Sequence, residues 1–179
     1  MSHAHADRGR EELVRRLSDL DDQYHVELGQ QRQELMRNLI SIVANDKSDE
    51  VGRTRAVDLL GDLRASEAAE ILVENIVEIP TLDPRGLSSR GRYACVAALV
   101  KIGKPATGAV LKEFRKPISD DRQLALVDVL AGVEGRKVGR FLLEEEIADA
   151  KTAEERDNLN KALRMFLIMT SREKEATGE

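Results

Sequence analysis

Few residues in this 179-residue chain have the type and spacing that covalent or metal chemistry requires. Cys95 is the single cysteine, and it lies in the apolar helical run "YACVAALVKIG". It reads as a small buried hydrophobe, because a reactive thiolate needs a neighbouring base that the sequence does not supply. His3, His5 and His25 all lie towards the amino terminus. "HAH" has the spacing of a weak metal pair, but a terminal tail is the simpler reading. Glu144, Glu145 and Glu146 are adjacent, so on a helix they fan out instead of converging as an acid/base pair. The stretch "LDPRGLSSRGRY", Leu82 to Tyr93, has the glycines of a turn but not the Gly-Lys-Ser/Thr ending of a phosphate-cradling loop. There is no Gly-x-Ser-x-Gly elbow, CxxC pair or His-Glu-x-x-His helix. The expectation is a non-enzymatic protein with no catalytic, cofactor-binding or metal-ligating residues.

Charge is more informative than motif. Residues 65–84 hold five acids (Glu67, Glu70, Glu74, Glu78 and Asp83) and no base, a local charge of −5. Residues 85–118 hold Arg85, Arg90, Arg92, Lys101, Lys104, Lys112, Arg115 and Lys116 against Glu113 alone, giving +7 within a chain of net charge −5. Such a block either attracts an anionic partner or is neutralised by acids on adjacent helices. The second account is favoured, with Lys104, Lys112, Arg115 and Lys116 facing the acids of the preceding helix.

The elements around these residues are helical. Aromatics make up 3% of the chain and Trp is absent, so the core must be built from Leu, Ile, Val and Ala, which favours helices over a sandwich or barrel. A chain of this length buries about 70% of its unfolded surface as one domain. Three segments superpose: "RTRAVDLLGDL" from Arg53, "RYACVAALVKI" from Arg92 and "QLALVDVLAGV" from Gln123. Val57, Val96 and Val127 coincide, as do Leu60, Leu99 and Leu130, then Leu63, Ile102 and Val133, along one side of a helix. Breaks follow at "RAS" (64–66), "GKP" (103–105) and "GVEG" (132–135). Second helices are then predicted through Ala69, Leu72 and Ile76, through Ala106, Val110, Leu111 and Phe114, and through Val138, Phe141, Leu142 and Ile147. Single helical hairpins cannot hide an apolar face; stacked ones can.

In Arg53, Ala56, Leu60, Gly61 and Leu63 the first segment resembles the opening helix of a HEAT-like repeat, of the short type also found in phycobilisome-lyase-related proteins. The second segment has Cys95 and Val100 where Ala and Gly are usual, and the third has Gln123 and Ala131 in place of the Arg and Gly. The resemblance implies an all-α, right-handed α-α superhelix, a short HEAT-like solenoid of about three helical hairpins with capping helices. The organisation expected is a tail at 1–9, amino-terminal capping helices at 10–46, the array with a carboxy-terminal cap at 47–170, and a tail at 171–179. Leu159, Leu163, Phe166 and Leu167 mark that final cap, in a helix starting near Thr152 with Glu155 as its capping-box partner.

The function expected is an interaction scaffold or adaptor that binds a protein partner or acidic peptide. Its candidate contact residues are Arg85, Arg90, Arg92, Tyr93, Lys104, Lys112, Arg115 and Lys116. Arg53 and Arg92 share a position near a helix start that calls for a compensating acid. Asp49 and Glu50 can serve Arg53, whereas no acid precedes Arg92 closer than Asp83, so Arg92 is the better candidate for an external anion. The eight surplus residues between Val57 and Val96, compared with Val96 to Val127, fall in "LDPRGLSSRGRY". Insertions of this kind gather on one surface of an array. A nucleic-acid binder is the alternative, opposed by a pI near 5.4 and five Tyr and Phe in all; a lyase-type accessory enzyme rests on the resemblance alone. No apolar run reaches the ~20 residues of a membrane span and no signal-peptide pattern opens the chain, so a soluble cytoplasmic protein is expected. The amino-terminal stripe Leu13, Leu17, Leu20 and Tyr24 is open to pairing with a second copy as a homodimer, although heptad spacing fails at Glu27 and Gln31.

Overall fold

A computed structural model describes the backbone of residues 3–81 and 89–177, and the side chains of residues 15, 16, 18–81 and 91–171. The described residues are helical throughout, joined by turns and one isolated antiparallel bridge between Pro80 and Tyr93. The chain divides into two units, residues 1–38 and residues 39–179.

The described residues of the first unit belong to α1, His3–Ala44. One helix therefore replaces the two amino-terminal capping helices expected at 10–46, and it passes through Gly29 without a break. A single glycine costs a helix only about 1 kcal/mol, and the surrounding Glu, Gln, Arg and Leu residues are good helix formers. At both ends the helices reach further than the tails expected at 1–9 and 171–179: α1 starts at His3 and the last helix runs to Thr177. Adding a residue to an existing helix is cheap compared with nucleating one.

In the second unit, α2 spans Glu50–Asp62 and α3 spans Ala69–Glu74 after a 3₁₀ turn at Ser66–Ala68. A short α4, Ser89–Arg92, leads into α5, Ala94–Ile102. A second 3₁₀ turn at Lys104–Ala106 opens α6, Thr107–Phe114. Helix α7, Asp120–Ala148, is broken at Gly135, and α8 spans Ala153–Thr177. The starts are capped as their sequences require. Asp49 accepts from the Gly52 amide at 2.8 Å, Ser119 from Arg122 at 3.3 Å and Thr152 from Glu155 at 3.1 Å.

Val57, Val96 and Val127 are fully buried, as are Leu60, Leu99 and Leu130, so the superposed positions face one core. Helix α5 packs on both α2 and α7, and α6 packs on α3, α7 and α8. The α2–α5 approach is close because Gly61 lacks a side chain: a Cβ there would lie 2.8 Å from the Ala98 Cα. Gly139 plays the same part for α7 and α8, where a Cβ would lie 2.6 Å from Cζ of Phe166.

Four expected core positions are corrected. Leu63 and Leu167 stand 36% exposed, Val138 47% and Phe141 56%. Beyond Gly135 the buried side of α7 runs through Gly139 and Leu143, i and i+4, which turns Val138 and Phe141 outward.

Candidate functional site

Three turns carry the positively charged residues that matter most. Each passes through a residue of positive φ: Arg64 (φ 50°), Gly103 (φ 81°, ψ −147°) and Gly135 (φ 73°, ψ 174°). The two glycine conformations belong to a region that residues with a Cβ essentially do not enter. Arg64 and Gly103 are 39 residues apart, the offset that superposes Val57 on Val96.

These turns lie beside one another. Lys101 Nζ on α5 meets Asp62 Oδ1 on α2 at 2.7 Å, which sets the turn at Arg64 next to the turn at Gly103. Thr107 donates to Glu134 Oε1 at 2.6 Å, which sets the turn at Gly103 next to Gly135. The exposed bases Arg64, Lys104, Arg136 and Lys137 lie at or just after these three turns. Among the described residues no ion pair is recorded for any of these four side chains. Arg64, Arg136 and Lys137 were not among the residues expected from sequence. The signal was available, because Arg64 and Gly103 superpose when the helices are aligned and Gly135 falls within one residue of them.

The expected contact residues are otherwise dispersed. Lys112 Nζ meets Glu70 Oε1 at 3.0 Å, as the neutralising account required. Arg115 finds different acids: its Nε donates to Glu146 at 2.8 Å, its second terminal nitrogen pairs with the same carboxylate, and a third contact reaches Glu155 at 3.4 Å. The hydrogen bond to Glu146 raises the Arg115 pKa further, so this cation is fixed in its charged form. Lys116 meets Glu113 at 2.7 Å. Glu113 is itself buried and also holds Arg122, whose terminal nitrogens donate to the carbonyls of Val73 and Glu74 at 2.9 Å each. Arg122 thereby ties the start of α7 to the end of α3.

Arg92 and Lys104 lie beyond opposite ends of α5, whose nine residues span about 13.5 Å at 1.5 Å per residue, and do not converge. Arg92 is exposed, with its guanidinium 5.9 Å from the Tyr93 ring centre. Arg85 lies outside the described residues, as does the side chain of Arg90, and the insertion itself is described only from residue 89. Its two ends are drawn together: Thr81 N donates to Arg92 O at 3.0 Å, Ala94 N to Ile79 O at 3.0 Å, and Thr81 Oγ1 to Gly91 O at 2.9 Å.

Arg53 is satisfied differently from expectation. Its Nε donates to Val43 O at 3.2 Å and a terminal nitrogen to Asn75 Oδ1 at 2.8 Å, with Asp46 at 3.8 Å; Asp49 is occupied in capping α2. Cys95 is fully buried, and burial pushes its thiol up to about 12. Among the described residues no three His, Cys, Asp or Glu side chains gather as a metal-binding group. No single helix there is long and apolar enough to cross a membrane.

Compared with known proteins, the chain matches no family model, no curated protein and no solved structure.

Proposed function

We propose that the second unit is a short HEAT-like solenoid acting as a non-enzymatic interaction scaffold, and that it binds an acidic protein segment along the edge formed by its turns. One observation carries this reading: Arg64, Lys104, Arg136 and Lys137 lie at or just after three adjacent turns, while Lys112, Arg115 and Lys116 are engaged by the protein's own acids. Neighbouring helices pack roughly 8–10 Å apart, and an extended peptide advances about 3.3 Å per residue. An acid at every third residue of such a segment therefore meets one turn after another. Because the turns are already folded, the ordering cost at binding falls on the side chains of the bases and on the peptide.

The test is fluorescence anisotropy of the full chain with a labelled peptide bearing Glu at every third residue, with duplex and single-stranded DNA as controls at the same ionic strength. Lys104→Glu with Arg136→Glu is expected to weaken peptide binding by at least tenfold, and Lys112→Glu to leave it within about twofold. Tighter, steeply salt-dependent DNA binding would overturn the reading in favour of a nucleic-acid partner.

A further inference from the structure

The amino-terminal helix has an apolar stripe whose period is eleven residues, and the charges flanking it match a second copy of itself. Heptad spacing breaks down at Glu27 and Gln31, but steps of four, three and four pass through Leu13, Leu17, Leu20, Tyr24, Leu28, Gln31 and Leu35 with a single polar member. Eleven residues in three turns is 3.67 residues per turn, close to the natural 3.6, so the stripe keeps to one side of a helix that needs little supercoiling. Among the described side chains, Leu20 is 61% exposed, Tyr24 63%, Leu28 50% and Leu35 47%. Exposed apolar residues repeated at this spacing form a strip of apolar surface interrupted only at Gln31, and isolated surface residues do not explain it.

The charges beside the strip identify what covers it. At 3.67 residues per turn, Arg16 and Glu27 fall on one border and Asp21 and Arg32 on the other. When two such helices run parallel and in register, each border faces the opposite border of the partner, and contacts reach from one residue to the fifth beyond it, as in parallel coiled coils. Arg16 then meets Asp21 of the second copy and Glu27 meets Arg32, so that both borders pair opposite charges on both sides of the two-fold axis. Asp21 remains within 3.7 Å of His25 on its own helix. In the same register Gln31 faces Gln31, and two side-chain amides can bond each other, while every other layer pairs Leu with Leu or Tyr with Tyr. We infer that the chain forms a parallel homodimer through residues 13–35 of α1.

Sedimentation velocity on the full chain tests this. A species of twice 19.9 kDa is expected in the micromolar range. Leu20→Glu with Leu28→Glu is expected to weaken association at least a hundredfold, while near-unchanged thermal unfolding of the second unit shows that the protein still folds. A monomer at about 100 µM, or a double variant that dimerises like the parent, overturns the inference. Gln31→Cys is expected to give a covalent dimer on mild oxidation. A non-covalent dimer that fails to cross-link there overturns the parallel register.

Discussion

Lys101 and Asp62 form an ion pair of 2.7 Å between α5 and α2, and they are 39 residues apart, the same offset that places Val57 on Val96. Equivalent positions of two superposed segments are thus in direct contact. Both side chains are about half exposed, at 49% and 61%, so solvent screens the pair. A double-mutant cycle with Asp62→Ala and Lys101→Ala is expected to give a coupling of about 0–1 kcal/mol that declines with added salt. Coupling that is strong and indifferent to salt would contradict this.

Glu113 and Arg122 are the opposite case. Their side chains are 8% and 17% exposed, 3.0 Å apart, and Arg122 also occupies two carbonyls at the end of α3. Removing Arg122 leaves the buried Glu113 with Lys116 alone and takes the side-chain donor from the carbonyls of Val73 and Glu74, so Arg122→Ala should cost roughly 1–3 kcal/mol in urea unfolding. Replacing both residues with apolar ones should cost less than the sum of the two single changes.

Position within the last two helices decides the cost of losing an apolar side chain. Leu143→Ala, at a fully buried site, should destabilise by about 2–5 kcal/mol. Phe141→Ser, at a site 56% exposed, should stay within about 1 kcal/mol although the lost side chain is larger. Equal costs measured by denaturant unfolding would restore Phe141 to the core.

The left-handed turns give a contrast in sign. Gly103 and Gly135 have open space where a Cβ would sit, so any cost of Gly→Ala there is conformational, expected at about 1–3 kcal/mol. Arg64 already carries the strain of φ 50°, and Arg64→Gly is expected to raise stability by up to about 1 kcal/mol. Melting temperatures moving in the same direction would show that these turns are not strained alike.

Cys95 supplies a pH test. Burial raises the thiol from its ordinary 9.0 to about 12, so folding favours the neutral form. Its contribution to stability is complete below pH 9 and is lost progressively as pH rises from about 9 to about 12. A disulfide-exchange reagent at pH 8 should modify the native protein at least a hundredfold more slowly than the urea-unfolded chain. Rapid native labelling would mean the core opens readily around α5.

Sequence alone determined the helical class and most of the core. The recurrence of Val57, Val96 and Val127 with Leu60, Leu99 and Leu130 marks one helix face, and a face that apolar cannot stay in water, so its burial follows from spacing. The cap at Thr152 was equally local, since its hydroxyl bonds the amide of Glu155 three residues on. The tertiary structure alone decided the pairing of charges. Spacing placed Lys112 on α6 with Arg115 at its end, but the choice of Glu146 and Glu155 for one and Glu70 for the other depends on how α6 meets α3, α7 and α8. The outward turn of Val138 and Phe141 was hidden for a related reason: their stripe and the one through Gly139 and Leu143 are both plausible in one dimension, and Phe166 closing over Gly139 selects between them. Periodicity names a face; the neighbour that covers it is a long-range fact.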